Sequence, residues 1–382
     1  MATIKMTNQI ALYIHWPFCQ SKCHYCGFNS YTHNTNDDTI EWVSAYLSEI
    51  DRYKEVFQDR TITSIFFGGG TPSLAGHRFI GNIILALNNS GTFASNIEIT
   101  VEANPTSVEL ETIRTLSTIG INRISLGVQS FSNANLKFLG RTHTAADALA
   151  ALEVIDRYFT NYSFDLIYAL PQQKLDDWVK ELEFAMQFAK HHISLYQLSI
   201  DEGTKFWELY KKGELRPQSE DEAAQAYLAT QKITAQNGLP RYEISNHSVI
   251  GKECCHNLTY WRYGEYIGIG PGAHSRYSHG RSNYKKIAEH SYHLPQTWFN
   301  YVKDGNSGVE ESEQLSEKAG NLEKLLMGMR LKEGIDLDGF HQLNNESIKF
   351  LEHKGLVSIS NKKLSATQKG FLVLDEIIRT LI

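Results

Sequence analysis

No stretch of this 382-residue sequence is long and apolar enough to cross a bilayer. Runs such as Ile62–Phe67 fall far short of the roughly 18 residues that a span requires. Nor does the chain open on an apolar segment with a small-residue cleavage site, which predicts a soluble chain kept in the cytoplasm. Positive charge is not in excess either. With 37 Lys+Arg against 43 Asp+Glu the formal net charge is −6, which argues against a nucleic-acid grip built on many phosphate contacts. Internal repeats and low-complexity segments are absent, and 42% hydrophobic with 21% charged residues is the make-up of a folded chain. A disulfide framework is missing too: the five cysteines are an odd total, with three crowded at Cys19, Cys23 and Cys26 and two adjacent at Cys254 and Cys255. A thiol triplet in a reducing compartment points to a metal or cluster site instead.

The length suits two domains or one large one, at roughly 100–200 residues each. In the first half, β-like runs rich in Ile, Val, Phe and Tyr alternate with amphipathic segments. The runs are Ala11–Trp16, Ile62–Phe67, Ile97–Glu102, Arg123–Val128, Phe164–Leu170 and Ile193–Ile200. Helices are predicted between them over Asp37–Phe57, Ser73–Asn89, Ser107–Ile119, Ala145–Phe159 and Leu175–Lys190. Six strands separated by helices imply a parallel α/β sheet, an open partial (β/α)6 TIM-like barrel with functional loops at the C-terminal strand ends. Cys19, Gly68, Glu102, Gln129 and Asp165 all fall at those ends. Past residue 205 the rhythm changes. A helix over Glu220–Gln236 precedes an aromatic and histidine-bearing stretch up to about residue 305. From 306 to 382 the pattern is helix (Glu313–Leu331), helix (Ser347–Lys354), strand (Leu356–Ser360) and helix (Thr367–Ile382), a smaller winged-helix-like domain.

Cys19, Cys23 and Cys26 have the spacing C-x3-C-x2-C directly after the first strand. Thiolates are the preferred ligands of iron–sulfur clusters, and three of them leave one iron of a [4Fe–4S] cube open to a substrate. The alternatives are a zinc site completed by His15 or His24, and plain exposed thiols. Gly68-Gly69-Gly70-Thr71-Pro72 ends a strand, where glycines let backbone groups approach a small zwitterion, or merely form a turn. Glu102 can accept hydrogen bonds from a ribose diol or be a solvated strand-end acid. Gln129, Arg141 and Asp165 complete a polar ring, with the Arg141 fork suited to a carboxylate.

The run Tyr13-Ile-His-Trp-Pro-Phe-Cys-Gln-Ser-Lys-Cys-His-Tyr-Cys-Gly-Phe-Asn-Ser resembles the signature loop of radical S-adenosylmethionine (SAM) enzymes, in the wording of the oxygen-independent coproporphyrinogen III oxidase branch. The resemblance runs through most of the chain. It implies that Cys19, Cys23 and Cys26 hold a [4Fe–4S] cluster whose open iron is chelated by SAM. It assigns Tyr13, Tyr25, Gly69, Gly70, Thr71, Glu102, Gln129, Arg141 and Asp165 to contacts with that cofactor. An electron donor for the cluster is implied as a partner.

Within the branch, the dehydrogenases that decarboxylate coproporphyrinogen III carry a further cysteine two residues after the third ligand, where this chain has Phe28, and a longer arm before the cluster. His256-Asn257-Leu258-Thr259-Tyr260-Trp261 is similar to the H-N-x-x-Y-W run of the haem chaperone family, HemW. That resemblance implies haem binding, with His256 as iron ligand, and delivery to haem-accepting proteins. On composition alone, His256 reads equally as a packed core histidine. His247, His274, Cys254 and Cys255 flank the run. A pure electron-transfer or iron–sulfur scaffold explains the triplet but not the glycine run, Glu102 and Gln129. The sequence leaves the acceptor protein, membrane docking through a partner and pairing of two copies open.

Overall fold

The computed structural model describes residues 8–32, 39–278, 285–340 and 343–382. Residues Asp37 and Asp38 of the first predicted helix lie outside them. Six parallel strands form the centre: β1 (Gln9–Trp16), β2 (Thr61–Gly69), β3 (Thr92–Ala103), β4 (Arg123–Gln129), β5 (Asn161–Tyr168) and β6 (His192–Gln197). Each pairs with the next in order. These are the six strands the apolar runs predict. The intervening helices run over Thr39–Arg52, Gly76–Ser90, Ser107–Leu116, Ala145–Tyr158 and Leu175–Ala185.

The alternation of side chains across a strand decides what each face is for. Leu12, Ile14 and Trp16 of β1 point into the layer under the helices, where Trp16 meets Phe79 at 4.9 Å and Phe79 meets Tyr46 at 5.0 Å between ring centres. Tyr13 and His15 point the other way. Directly paired residues share a face, so the ladder Tyr13–Phe66–Thr100–Arg123 and the pairs His15–Gly68, Glu102–Ser125 and Asp165–Ser194 all line the inner side of the sheet. That inner side is polar, and it is where the functional groups are.

The sheet does not stop at six strands. β7 (Asn246–Ser248) adds to β6, and beyond β1 come β8 (Tyr266–Ile269), β9 (His274–Tyr277), β10 (Ile287–Ser291) and β11 (Val309–Gln314), giving eleven strands in the order β11-β10-β9-β8-β1-β2-β3-β4-β5-β6-β7. β8 is parallel to β1; the later ones are antiparallel. These strands are three to six residues long and mostly polar, and β11 exposes nearly all its side chains, so no apolar run announces them. The predicted helix over Glu313–Leu331 is accordingly shorter, Glu317–Gly328: its first residues belong to β11, and Ser316 caps the helix through Ala319 N.

The C-terminal part has a separate three-stranded sheet of β12 (Ile335–Asp336), β13 (Val357–Ser360) and β14 (Lys363–Ala366), with β14 in the middle. Helices Glu317–Gly328, Asn345–His353 and Leu374–Leu381 pack on it around Leu325, Met329, Leu351, Leu364 and Ile377. Helices with a small antiparallel sheet make up the winged-helix-like arrangement.

Candidate functional site

The cysteine loop leaves β1 at Pro17 and is clamped at its base by the short parallel pairing of Phe18–Cys19 with Tyr31–Thr32. The strand end Gly69-Gly70-Thr71 lies against it. Gly70 N donates to Trp16 O at 2.6 Å and Thr71 N to Phe18 O at 2.9 Å. A Cβ on Gly70 would sit 2.6 Å from Phe18 O, too close for any side chain. Gly69 has φ +110°, and a Cβ there would meet the His15 ring at 2.6 Å. The glycines therefore let the strand end press against the cysteine loop. Gly69 N also donates to Glu102 Oε2 at 3.2 Å.

Cys19, Cys23 and Cys26 are half-buried thiols on the wall of one cavity of about 420 Å³. Two of them are tied together by a chain of hydrogen bonds. Thr71 Oγ1 donates to Cys19 Sγ at 3.5 Å, Asn104 Nδ2 donates to Thr71 Oγ1 at 3.0 Å, and Arg141 Nη2 donates to Asn104 Oδ1. Arg141 Nη1 then donates to Cys23 Sγ at 3.3 Å. Donors aimed at sulfur stabilise thiolates, which is the form that a cluster needs. The zinc alternative lacks its fourth ligand here. His15 uses Nδ1 on Tyr13 OH at 3.1 Å and Nε2 on Asn29 O at 2.9 Å. His24 spends its nitrogens on Phe138 O at 2.9 Å and Lys205 Nζ at 3.0 Å. Among the described residues, no three His, Cys, Asp or Glu side chains gather as for a single metal ion.

Tyr25, Gly69, Gly70, Thr71, Glu102, Gln129, Arg141 and Asp165 line the same cavity as the thiols. Its volume lies within the range of about 300–1,000 Å³ typical of small-ligand sites. Burial raises the Glu102 carboxyl to about 8, aided by nearby Asp165, and burial raises Asp165 to about 6. Asp165 Oδ1 is sealed from solvent without a hydrogen-bond partner. Such an acceptor fits the hydroxyls of a polar ligand. Gln129 sits at φ +67°, an unusual backbone for its type, at the point where β4 ends in the cavity wall.

Tyr13 and His256 lie elsewhere. They line a smaller chamber of about 200 Å³ on the inner face, which shares Glu102, Ser125, Asp165 and Tyr196 with the cysteine cavity. His256 stands on the helix Cys255–Trp261, only 2% exposed, with its ring stacked on Phe66 at 5.0 Å and edge-on to Tyr260 at 4.9 Å. Nδ1 is within 3.0 Å of Ser64 Oγ and Nε2 within 2.9 Å of Tyr260 OH. Burial lowers its pKa to about 3, so the ring is neutral. Both imidazole nitrogens are thus engaged inside the protein.

The helix is anchored by Glu98 of β3, which accepts from Cys254 Sγ at 3.3 Å, Cys255 N at 3.3 Å and His256 N at 3.1 Å, and faces Arg123 at 4.0 Å. Cys254 is buried in this contact and Cys255 exposed. Sequence reasoning missed Glu98, Arg123, Asn104 and Tyr196. Asn104 was within reach, because it stands two residues after Glu102 at the same strand end; Glu98 reads as one more polar position of a half-polar strand.

Residues 13–185 match the family model of the radical SAM superfamily, and 315–373 match that of the HemN C-terminal domain. The heme chaperone HemW of Mycobacterium tuberculosis is 32% identical over 376 residues, 97% of this chain and 94% of its own length. The chain belongs to the radical SAM superfamily, in the HemW group. Another relative of this radical SAM chain, the mitochondrial radical S-adenosyl methionine domain-containing protein 1 of Bos taurus, is 32% identical over 98% of the chain and 88% of its own. Among solved structures, coproporphyrinogen III oxidase (HemN) from Escherichia coli superposes with a TM-score of 0.81 over 99% of this chain and 91% of its own, at 19% identity. That likeness shows the radical SAM fold. No described helix is long and apolar enough to cross a membrane.

Proposed function

We propose that this chain is a haem chaperone, binding haem and handing it to haem-accepting proteins, on a radical SAM scaffold that carries a [4Fe–4S] cluster on Cys19, Cys23 and Cys26. The observation that carries the reading is the chamber of the His-Asn-x-x-Tyr-Trp helix, which shares four wall residues with the cysteine cavity. It joins the run that marks the chaperone group to the cofactor site. The relatives named heme chaperone HemW support it at full-chain coverage. So does Phe28, an exposed phenylalanine where the decarboxylating branch has a cysteine.

When bound, the cluster and SAM supply one-electron reductive cleavage of the SAM sulfonium. The residues of this chain hold that pair. Thr71 and Arg141 steady two thiolates. Glu102 and the unpartnered Asp165 oxygen suit the ribose hydroxyls. An electron donor and the haem acceptors are the implied partners. The test is anaerobic reconstitution of the full chain followed by two assays, haem titration and incubation with coproporphyrinogen III, SAM and reductant. One haem per chain and no decarboxylated product are expected; catalytic formation of protoporphyrinogen IX restores the dehydrogenase reading. Alanine at Cys19, Cys23 or Cys26 is expected to abolish iron–sulfur absorption, while alanine at Cys254 or Cys255 leaves it.

A further inference from the structure

We propose that Glu323 of the C-terminal part is a latch that keeps the His-Asn-x-x-Tyr-Trp helix shut over His256, and that its release opens the helix for haem to enter and leave. This rests on the haem-chaperone reading above and adds the control of that same site. Glu323 and Tyr263 act in it as positioning residues.

His256 is shut away in this structure. Its Nε2 lies 2.9 Å from Tyr260 OH, and the chamber beside it holds about 200 Å³, below the roughly 300–1,000 Å³ of ordinary small-ligand sites. A ligand as broad as haem therefore reaches the ring nitrogen only when the end of the helix that carries Tyr260 moves. Two backbone bonds close that end: Tyr263 N donates to Tyr260 O at 2.9 Å, and Gly264 N to Thr259 O at 2.7 Å. This double closure belongs to helices that end on a left-handed residue, which is usually glycine. Here that residue is Tyr263, at φ +54°. A bulky side chain is disfavoured in that region and persists there only where its surroundings hold it.

Two side chains hold Tyr263. Lys286 Nζ donates to Tyr263 O at 2.6 Å and to Gly264 O at 2.7 Å, and lies 3.6 Å from the centre of the Tyr263 ring. Glu323, on the helix Glu317–Gly328, accepts from Tyr263 OH at 2.9 Å and takes the Arg276 guanidinium through Nε at 3.1 Å and Nη2 at 2.9 Å. A contiguous path thus runs from Glu323 through Tyr263 and Tyr260 to His256 Nε2. Glu323 and Arg276 are partly buried, so salt screens them less than an exposed pair. Arg262 and Glu333 also bridge to the C-terminal part, at 2.9 Å and 3.3 Å, but both are exposed and such pairs contribute little. Glu98 fixes the other end of the helix from within the barrel, so opening gapes at the Tyr263 end. Where the closed form dominates, haem uptake scales with the open fraction, and cutting the latch raises that fraction.

The experiment uses the full, anaerobically reconstituted chain as wild type, Glu323→Ala, Tyr263→Phe, the double variant and Glu333→Ala. Two quantities are read: the rate of the Soret rise on stopped-flow mixing with haem, and amide hydrogen exchange of the haem-free protein over residues 257–264. Glu323→Ala is expected to speed haem uptake at least ~10-fold, equivalent to about 1.4 kcal/mol, to reach the wild-type final spectrum, and to speed exchange over 257–264 while the barrel strands stay protected. Tyr263→Phe is expected to act in the same direction, and the double variant to be no faster than Glu323→Ala, because both substitutions cut one bond. Glu333→Ala is expected to match the wild type. If Glu323→Ala does not fold, Glu323→Gln takes its place. Unchanged uptake in both single variants overturns the latch, whether or not exchange rises. Slower uptake with an altered final spectrum overturns it too, because the contact then builds the site instead of closing it. No haem uptake by the wild type overturns the haem reading, while amide exchange still reports whether Glu323 holds the helix shut.

Discussion

Gly70→Ala tests how the cysteine loop is held. The added methyl would lie 2.6 Å from Phe18 O, 2.8 Å from Phe18 C and 2.9 Å from Phe18 N, all backbone atoms one residue before Cys19. Backbone cannot swing aside as a side chain would. Either the strand end or the loop must move, and overpacking of this kind costs about 1–3 kcal/mol. The Gly70 N–Trp16 O and Thr71 N–Phe18 O hydrogen bonds lie across the same contact and lengthen with it. Thr71 then withdraws from Cys19 Sγ, so cluster loading falls together with stability. Urea denaturation of the apoprotein and iron content after anaerobic reconstitution measure the two effects. Gly81→Ala is the control: it lies inside the helix Gly76–Ser90 with nothing within 4 Å of its Cβ, and it is expected to gain about 0.5–1 kcal/mol with full iron. A Gly70→Ala protein of wild-type stability and full iron content would refute the reasoning.

Three further expectations follow from the same geometry. Thr71→Val and Asn104→Ala each break the hydrogen-bond chain between Cys19 and Cys23, so the reconstituted cluster should become harder to reduce, seen as a more negative midpoint in an EPR-monitored titration; an unchanged midpoint in both argues that the chain does not reach the cluster. Glu98→Ala strips three donors and the buried Arg123 guanidinium of their acceptor and should cost about 3–5 kcal/mol in chemical denaturation; a loss below 1 kcal/mol would show that water replaces the carboxylate. Glu102 and Asp165 titrate above their ordinary values of 4.5 and 3.8, so the folded apoprotein keeps protons that the unfolded chain has released. Their effect is absent at low pH, and stability falls as pH rises from about 4 through 6 for Asp165 and on to about 8 for Glu102; Glu102→Gln should flatten the upper part of that slope, and an identical pH profile would contradict it.

The parallel half of the fold was legible because buried strands advertise themselves. Ile62–Phe67 is rich in Ile and Phe and Arg123–Val128 alternates Ile, Leu and Val with Arg, Ser and Gly, each closed by glycine or glutamine, and the structure extends them by only a residue or two at most ends. β8 to β11 were not legible, since Tyr-Ile-Gly-Ile and His-Ser-Arg-Tyr carry too few residues to show a period. The same holds for the site. Local spacing reveals the cysteine triplet and the glycine run, whereas Asn104 and Glu98 become functional candidates only through contacts between residues 33 and 158 positions apart. For His256, a sequence run specifies a residue type and a helix face, not whether the ring nitrogens are free. In the fold both are engaged.

The most direct test of the haem-chaperone reading is the optical titration of anaerobically reconstituted protein with haem, followed by addition of an apo-haemoprotein. The expected result is a saturating Soret change at about one haem per chain, then transfer of that band to the acceptor at a rate above spontaneous haem exchange. A chain that takes up no haem while converting coproporphyrinogen III to protoporphyrinogen IX in the presence of SAM would contradict it.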